Sequence, residues 1–215
     1  MAVTDYKSAG TAANIDRGGP TATWVNPDNA KTSNNSYAVA SINKDDESDY
    51  LRLTNFSMGV PAGATIDGIE VQIERKGESN AIYDFEIYLR KTTTGQVGDN
   101  YASATNWPAS DDTEVYGGAA DKWGTTWSAA DVNHADFGID IIAWNDNIDS
   151  LTDASVDHVQ IRVHYTAAGP SGTNTQINIG DAWKSIAAMQ INIGDTWKAV
   201  AGAQVNIGDD WKTIF

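Results

Sequence analysis

The stretch Gly-Ile-Glu-Val-Gln-Ile-Glu-Arg, residues 68–75, decides the fold class of this chain. Its apolar and polar residues alternate with a period of two, so that Ile69, Val71 and Ile73 share one face of an extended backbone. A strand with one apolar and one polar face is typical of an antiparallel sheet that covers a core on one side and meets water on the other. We therefore expect residues 68–75 to form a half-buried strand of such a sheet.

The same alternation recurs in other segments of the first 166 residues, which turn-rich stretches separate. No long segment has a clean apolar stripe with a period of 3.6 residues. The pattern therefore predicts an all-β, antiparallel sandwich. The residues predicted to face inward are Leu51 and Leu53; Tyr83, Phe85, Ile87 and Leu89; Phe137, Ile139, Ile141 and Ala143; and Val156, Val159, Ile161, Val163 and Tyr165. Those predicted to face outward along residues 83–91 are Asp84, Glu86, Tyr88 and Arg90.

One short helix is expected within this all-β region. Ser128 is a good N-cap residue, and Asp131 stands at the third helical position, where a capping box normally has Glu or Gln. We expect one or two helical turns after Ser128 and nothing longer.

The chain changes character after residue 166. Residues 167–175 are small and contain Gly, Pro and Ser, which is typical of a linker. An internal repeat follows in residues 176–215, with copies of fourteen residues that begin at Gln176, Gln190 and Gln204. Each copy has the form Gln-(Ile or Val)-Asn-Ile-Gly-Asp-x-Trp-Lys. Because Gly suits the first central position of a two-residue type II′ turn, we expect three tandem β-hairpins.

Each predicted hairpin carries apolar groups on both sides of its ribbon. With Gly180-Asp181 as the loop, Asn178 would lie opposite Trp183 and Ile179 opposite Ala182. Such small ribbons are marginal in water and must pack against other copies of the chain, the sandwich or another protein. Repetition favours other copies, because symmetric partners reuse the same surface. The predicted packing residues are Ile177, Ile179, Trp183, Ile191, Ile193, Trp197, Val205, Ile207 and Trp211. A sugar-stacking ladder is the alternative role for the three Trp residues.

Composition and charge exclude several classes of function. Of the 215 residues, 14 are Lys or Arg and 29 are Asp or Glu, so the net charge of -15 opposes nucleic-acid binding. The absence of Cys excludes disulfides and thiolate chemistry. The chain has no apolar run of the roughly 18 residues that a membrane span needs. Neither a basic nor an apolar signal region follows Met1, so synthesis in a cytoplasm is expected.

No common enzyme motif is present, and we expect a non-enzymatic protein without a cofactor. His158 and His164 are six residues apart on one predicted strand face, about 20 Å, which is too far to share a metal ion. Acidic pairs such as Glu70 with Glu74 would line solvent-facing sides of strands. Two oxygen-rich loops, residues 43–49 and 145–153, are the only weak candidates for a structural calcium ion.

A cluster of aromatic residues lies in one turn-rich region between predicted strands. It contains Trp107, Trp123 and Trp127 together with Tyr101 and Tyr116. Loops at the end of a sandwich often bind ligands, so these residues are candidates for a glycan platform. Alternatively, they plug the open end of the sandwich or seal an interface between subunits. The sequence leaves both interpretations open.

Several motifs together resemble a family of bacteriophage virion structural proteins. In the first 166 residues they are Tyr-Leu-Arg-Leu-Thr-Asn-Phe at 50–56, the run from Pro61 to Arg75, Leu-Arg-Lys at 89–91, Gly-Asp-Asn at 98–100, Trp-Gly-Thr-Thr-Trp at 123–127, Phe-Gly at 137–138 and the run from Val156 to Tyr165. The repeated Asn-Ile-Gly-Asp-x-Trp-Lys is similar to tandem repeats at the ends of phage tail-fibre and minor structural proteins. The resemblance implies location in a particle and multimerisation, and it supplies no catalytic residues.

Residues and resemblance together give one expectation. Residues 1–166 form a jelly-roll-like β-sandwich, residues 167–175 a linker, and residues 176–215 a repeat segment that holds a symmetric homo-oligomer, most simply a homotrimer. The protein would be exposed on the virion, as a tail fibre, tail tip, head fibre or capsid decoration. Its partners would be other virion proteins and a host-surface glycan, with no nucleic acid and no membrane insertion. The alternative function is a carbohydrate-binding module that recognises a cell-surface glycan.

Overall fold

The structure, a computed structural model, describes residues 1–92, 94–146 and 151–168 and, beyond these, the backbone of six short strands. The chain divides into two compact units, Met1–Ala167 and Ala168–Phe215. Each unit is described by itself.

The first unit consists of two antiparallel sheets of six strands each, in a β-sandwich-like arrangement. Sheet A contains β1 (Ala2–Val3), β2 (Lys7–Ser8), β4 (Ala38–Ile42), β7 (Thr65–Gly77), β10 (Asp112–Gly117) and β12 (Thr152–Thr166). Sheet B contains β3 (Thr11–Ile15), β5 (Asp46–Glu47), β6 (Tyr50–Thr54), β8 (Ile82–Lys91), β9 (Gly95–Val97) and β11 (Gly138–Asn145). The order is β1-β12-β7-β10 in sheet A, where β2 and β4 also pair with β12. It is β3-β6-β11-β8-β9 in sheet B, where β5 also pairs with β11.

The core lies between the inner faces of the two sheets. Along β7, Ile69, Val71 and Ile73 are fully buried and alternate with half-buried polar residues, which confirms the strand predicted at residues 68–75. The inward rows predicted in β6, β11 and β12 are confirmed as well. Tyr165 is partly buried against the core, and Phe137 directly precedes β11. The fully buried members of these rows are Leu51, Leu53, Phe137, Ile139, Ile141, Ala143, Val156, Val159, Ile161 and Val163.

Helical structure in the described residues is short. The α-helix α1 covers Ala129–Asn133, and single 3-10 turns cover Pro27–Ala30 and Glu78–Asn80. Ser128 caps α1 as predicted: its Oγ accepts a hydrogen bond from the Asp131 N–H, and the Asp131 carboxylate accepts one from the Ser128 N–H. Within the described ranges, no helix combines the length and the apolar character needed to cross a membrane.

The long strand β12 contains a bulge. Val156 lies opposite Arg75 and His158 opposite Glu74 on β7, so that Asp157 is an extra residue with no partner in the ladder. An extra residue reverses which face the following side chains occupy. This explains why Val156 is out of phase with Val159, Ile161 and Val163 although all four are buried.

The second unit contains three separate two-stranded antiparallel sheets. In the first, β13 (Gln176–Ile179) pairs with β14 (Ala182–Ser185), and Asn178 lies opposite Trp183. The pair β15 (Gln190–Ile193) and β16 (Thr196–Ala199) and the pair β17 (Gln204–Ile207) and β18 (Asp210–Thr213) have the equivalent register. The side chains of the nine predicted packing residues lie outside the described part of the structure, and so do linker residues 169–175.

Candidate binding surface on the outer face of sheet B

A second bulge determines the chemistry of sheet B. On β8, Glu86 lies opposite Ile142 and Asp84 lies opposite Ala143, so Phe85 is an extra residue in the ladder with β11. Asp84 is therefore buried, whereas Phe85 is 37% exposed. The prediction that Phe85 faces inward and Asp84 outward is wrong, because the bulge reverses the alternation at this point.

The reversal extends to the start of β8. Tyr83 lies opposite Trp144, next to the inward Ala143, so Tyr83 is on the outer face and not on the inner face as predicted. Beyond the bulge, the predicted pattern holds. Ile87 and Leu89 are fully buried, and Tyr88 and its polar neighbours are half-buried.

The side chain of Asn100 holds the bulge in place. Its Nδ2 donates a hydrogen bond to the Phe85 carbonyl oxygen at 3.1 Å. Its Oδ1 accepts a hydrogen bond from the Ile87 N–H at 3.0 Å. One amide side chain thus satisfies the backbone on both sides of Glu86, where the short neighbouring strand β9 does not reach.

On the inner side of the bulge, Asp84 is bound by four donors. Its carboxylate forms a buried ion pair with Arg75 and accepts hydrogen bonds from Trp107 Nε1 at 2.8 Å, the Tyr116 hydroxyl at 2.7 Å and the Ser103 N–H at 2.9 Å. Burial, together with the negative charge of Asp84, raises the pKa of Tyr116. The network joins both sheets, so it fixes the orientation of β8 from inside the core.

On the outer side of the bulge, Phe85 is part of a row of planar groups. Its ring stacks on Trp144 with 5.6 Å between centroids and 18° between planes. The guanidinium carbon of Arg17 lies 5.5 Å from the Phe85 centroid and 5.4 Å from the Tyr50 centroid. We call these four residues, Tyr50, Arg17, Phe85 and Trp144, the aromatic row. Tyr83 and Tyr88 lie on the same outer face.

The charges on this face balance. Asp140 is fully buried beneath Arg52, whose Nε lies 2.8 Å from Asp140 Oδ1, and beneath Arg90, whose Nη1 lies 3.0 Å from Oδ2. Arg17 forms an ion pair with Glu47, and Glu86 also lies on this face. Arginines and carboxylates are therefore present in equal numbers here, although acidic residues outnumber basic ones by 29 to 14 in the chain.

A shallow cleft of about 270 Å³ adjoins the aromatic row. Its lining residues are Arg17, Gly18, Gly19, Pro20, Thr21, Asp46 and Glu47. Because Arg17 belongs to both the cleft and the aromatic row, the two form one continuous surface.

Asp49 positions the loop that forms the cleft. Its carboxylate accepts hydrogen bonds from the Thr21 hydroxyl at 2.5 Å, from Asn14 Nδ2 at 2.9 Å and from the Arg17 N–H at 3.3 Å. Burial by itself would raise the pKa of Asp49, but these hydrogen bonds outweigh it and leave the pKa below its ordinary value. The ionised carboxylate is thus the stable form at neutral pH and keeps Arg17 in place.

Some polar atoms on the outer face of sheet B have no partner. Within the described part of the chain, Glu86 Oε2, Arg90 Nε and Gln96 Nε2 are buried and make no hydrogen bond. Arg90 and Gln96 lie opposite each other on β8 and β9. Buried polar atoms are normally paired, so these three are exceptions, and because they are buried they are not accessible at the surface of the sheet.

The three indoles singled out from the sequence lie in the core. Trp107 and Trp123 have no exposed area and Trp127 is 8% exposed. Trp123 Nε1 donates to the Ile69 carbonyl oxygen at 3.0 Å, and Trp127 Nε1 donates to the Lys122 carbonyl oxygen at 2.9 Å. Their faces therefore pack against protein and do not form an exposed stacking platform.

The sequence carried a signal for only part of the aromatic row. Trp144 follows the inward Ala143, so alternation alone places it on the outer face. Tyr50 precedes the inward Leu51 and is placed outside by the same argument. Phe85 and Arg17 could not be found in this way, because one depends on the bulge and the other on a loop.

Two loops, residues 43–49 and 145–153, were candidates for binding a structural calcium ion. Among the residues that the structure describes, no group of three or more His, Cys, Asp or Glu side chains is arranged to hold a metal ion. In the loop at residues 43–49, Asp49 is occupied by protein donors. Residues 147–150 of the other loop lie outside the described residues.

No protein-family model matches the chain, and no curated protein or solved structure matches it either. The assignment of a function therefore rests on the sequence motifs and on the geometry described above.

Proposed function

We propose that this chain is a non-enzymatic structural protein of a bacteriophage virion, exposed on the particle as a tail fibre, tail tip, head fibre or capsid decoration. In this proposal residues 1–166 fold as a jelly-roll-like sandwich, and the C-terminal repeats hold several copies together, most simply as a homotrimer. The observation that carries the proposal is the threefold repetition of Asn-Ile-Gly-Asp-x-Trp-Lys after residue 175.

The repeats support assembly for a physical reason. Each copy supplies only two strands of four residues, and a ribbon of that size cannot bury apolar groups on both of its sides. Ile and Trp recur at fixed offsets in all three copies, as a symmetric assembly requires. The same segment from other chains is the simplest partner that recurs with the same spacing.

In this proposal the first unit, Met1–Ala167, is the part exposed on the particle. It has its own core and contacts, so several copies joined through their C-terminal segments would present identical surfaces side by side. Binding by several linked copies is much stronger than binding by one, because each further contact forms at a high effective concentration. The net charge of -15 also opposes unspecific association of such particles.

Light scattering on two forms of the protein tests the assembly. The full chain should have the mass of three or more copies of 23.0 kDa, whereas residues 1–168 should be a monomer. A full-length variant with Trp183, Trp197 and Trp211 replaced by Ala should also be a monomer. If the full chain is itself a monomer, the assembly proposal is wrong.

The virion location needs a separate test. Antibodies raised against residues 1–168 should label intact particles of the phage that encodes the chain. Purified particles that contain no copy of the chain would contradict the location without affecting the measured mass.

The alternative function, a carbohydrate-binding module, draws support from a different observation, the aromatic row on sheet B. This alternative is compatible with assembly, and it concerns a different part of the chain.

A further inference from the structure

We infer that the outer face of sheet B binds an uncharged carbohydrate, with the aromatic row and the adjoining cleft as its site. The inference goes beyond the assembly role and does not depend on it. The residues proposed to bind the glycan differ from the sequence-based candidates Trp107, Trp123 and Trp127, which are buried.

The first argument is the exposure of Phe85. The bulge leaves the Phe85 ring 37% exposed and stacked on Trp144, so that a surface with several aromatic groups faces outward. Asn100 and the Asp84 network hold the bulge so that the ring stays outside. A pyranose ring has one face of C–H groups, and aromatic side chains are the groups that contact such a face.

The second argument is hydrogen bonding. Arg17, Glu47 and Arg52 keep part of their side chains exposed on this face, at 18%, 24% and 27%. A ligand there can therefore reach two guanidinium groups and one carboxylate without moving the sheet. Sugar hydroxyls both donate and accept, so a single ligand class can bond to all three.

The third argument is charge. A polyanion would be repelled by a protein of net charge -15, and a polycation would be drawn to its many acidic surfaces and not to this one. The outer face of sheet B is the charge-balanced region formed by Arg17, Arg52, Arg90 and their carboxylate partners. With Asp46 of the cleft included, three arginines stand beside four carboxylates, and this near balance fits an uncharged ligand.

The fourth argument is size. The cleft of about 270 Å³ is close to the lower end of small-ligand sites, which begin at about 300 Å³. With a rise of about 3.4 Å and a strand spacing of about 4.8 Å, the strands of sheet B cover about 540 Å², less than the roughly 800 Å² per partner that a stable protein interface buries. An oligosaccharide therefore fits this surface better than a second copy of the chain.

The test uses the full chain on an array of uncharged hexasaccharides of glucose, mannose and galactose, with sialylated and uronic-acid glycans beside them. Hits are then titrated by calorimetry. We expect binding to at least one uncharged glycan, and an affinity at least tenfold lower for Phe85→Ala. Phe85→Trp should retain the affinity, since it keeps an aromatic face. Tyr37→Ala is the matched control, because it removes a half-buried tyrosine beside Lys76 on sheet A.

Three results would overturn the inference. These are no binding to any uncharged glycan, binding by Phe85→Ala as tight as that of the unchanged chain, and binding to acidic glycans alone. The mass of each variant is measured in parallel. If Phe85→Ala lowers the mass of the full chain, a second copy occupies this face and the carbohydrate inference is wrong. If the full chain is monomeric but still binds the glycan through Phe85, the assembly proposal fails and the carbohydrate inference stands.

Discussion

The bulge in β12 and the bulge in β8 use one extra residue in opposite ways. In sheet A the extra residue, Asp157, is fully buried, and its carboxylate accepts hydrogen bonds from the N–H groups of Asn34 at 3.1 Å and Asn35 at 3.0 Å. In sheet B the extra residue, Phe85, is on the outer face, 37% exposed, where its ring stacks on Trp144. A bulge whose side chain binds the protein's own backbone secures a loop, whereas one whose side chain is left outside is available to a ligand.

The largest effect is expected at the inner neighbour of the β8 bulge. Asp84→Ala leaves the buried Arg75 without its counter-ion and should lower the free energy of unfolding by about 3–5 kcal/mol. Denaturant unfolding measures this loss. The double variant Arg75→Leu and Asp84→Leu should recover most of it, because no unpaired charge remains. A loss below about 1 kcal/mol in the single variant would show that the Asp84 network does not hold the bulge.

A smaller loss is expected at the β12 bulge. Asp157→Ala leaves the N–H groups of Asn34 and Asn35 without an acceptor and should cost about 2–3 kcal/mol in the same assay. Asp157→Asn keeps one acceptor oxygen, so its free energy of unfolding should lie between those of Asp157→Ala and the unchanged chain. Equal stability of the Ala and Asn variants would mean that Asp157 does not secure this loop.

Deletion of Phe85 should lower the free energy of unfolding by less, about 1 kcal/mol, because the main loss is one aromatic contact. After the deletion, Glu86 and Asp84 can keep their partners Ile142 and Ala143 in a regular ladder. Deletion of Tyr83 is the control, and it should cost several times more because it moves Ile82 out of the core. Equal losses in unfolding experiments would argue against the bulge at Phe85.

The smallest effect is a pH dependence beside the β12 bulge. Burial lowers the pKa of His158 from its ordinary 6.5, against the opposing charges of Glu74 and Asp157. Below about pH 6.5 the unfolded chain therefore binds more protons than the folded one. The free energy of unfolding decreases as the pH is lowered from there, until the pH is below the pKa of His158 in the folded state. His158→Gln should flatten the melting temperature between pH 5 and 7. An unchanged slope in His158→Gln would contradict the assignment.

Neither bulge was predicted from the sequence, although one of them left a trace there. Val156 is out of phase with the apolar residues that follow it, which is the trace that an extra residue leaves. Tyr83 and Phe85 are apolar and continue the alternation of Ile87, so a regular strand was predicted across the bulge. The remaining signal is Arg75, at an inward position of β7, which calls for a buried carboxylate but does not say which one.

Whether an aromatic residue is buried was also beyond sequence reasoning. The turn-rich region containing Trp107, Trp123 and Trp127 was recognised, but burial there depends on how the connections close over the sandwich. Trp123 is buried because its indole reaches the carbonyl of Ile69, a residue more than fifty positions earlier. Contacts at that separation leave no local pattern.

The pairing of β1 with the end of β12 has a practical consequence for engineering. Ala2 lies directly opposite Tyr165, and paired Cα atoms of antiparallel strands are about 5 Å apart. A linker of a few residues after Thr166 would therefore join β12 to β1 without stretching either strand. A circular permutant opened at the exposed residues 43–45 should then keep both sheets. The C-terminal segment could be attached at that new end, which would change the direction in which the aromatic row is presented.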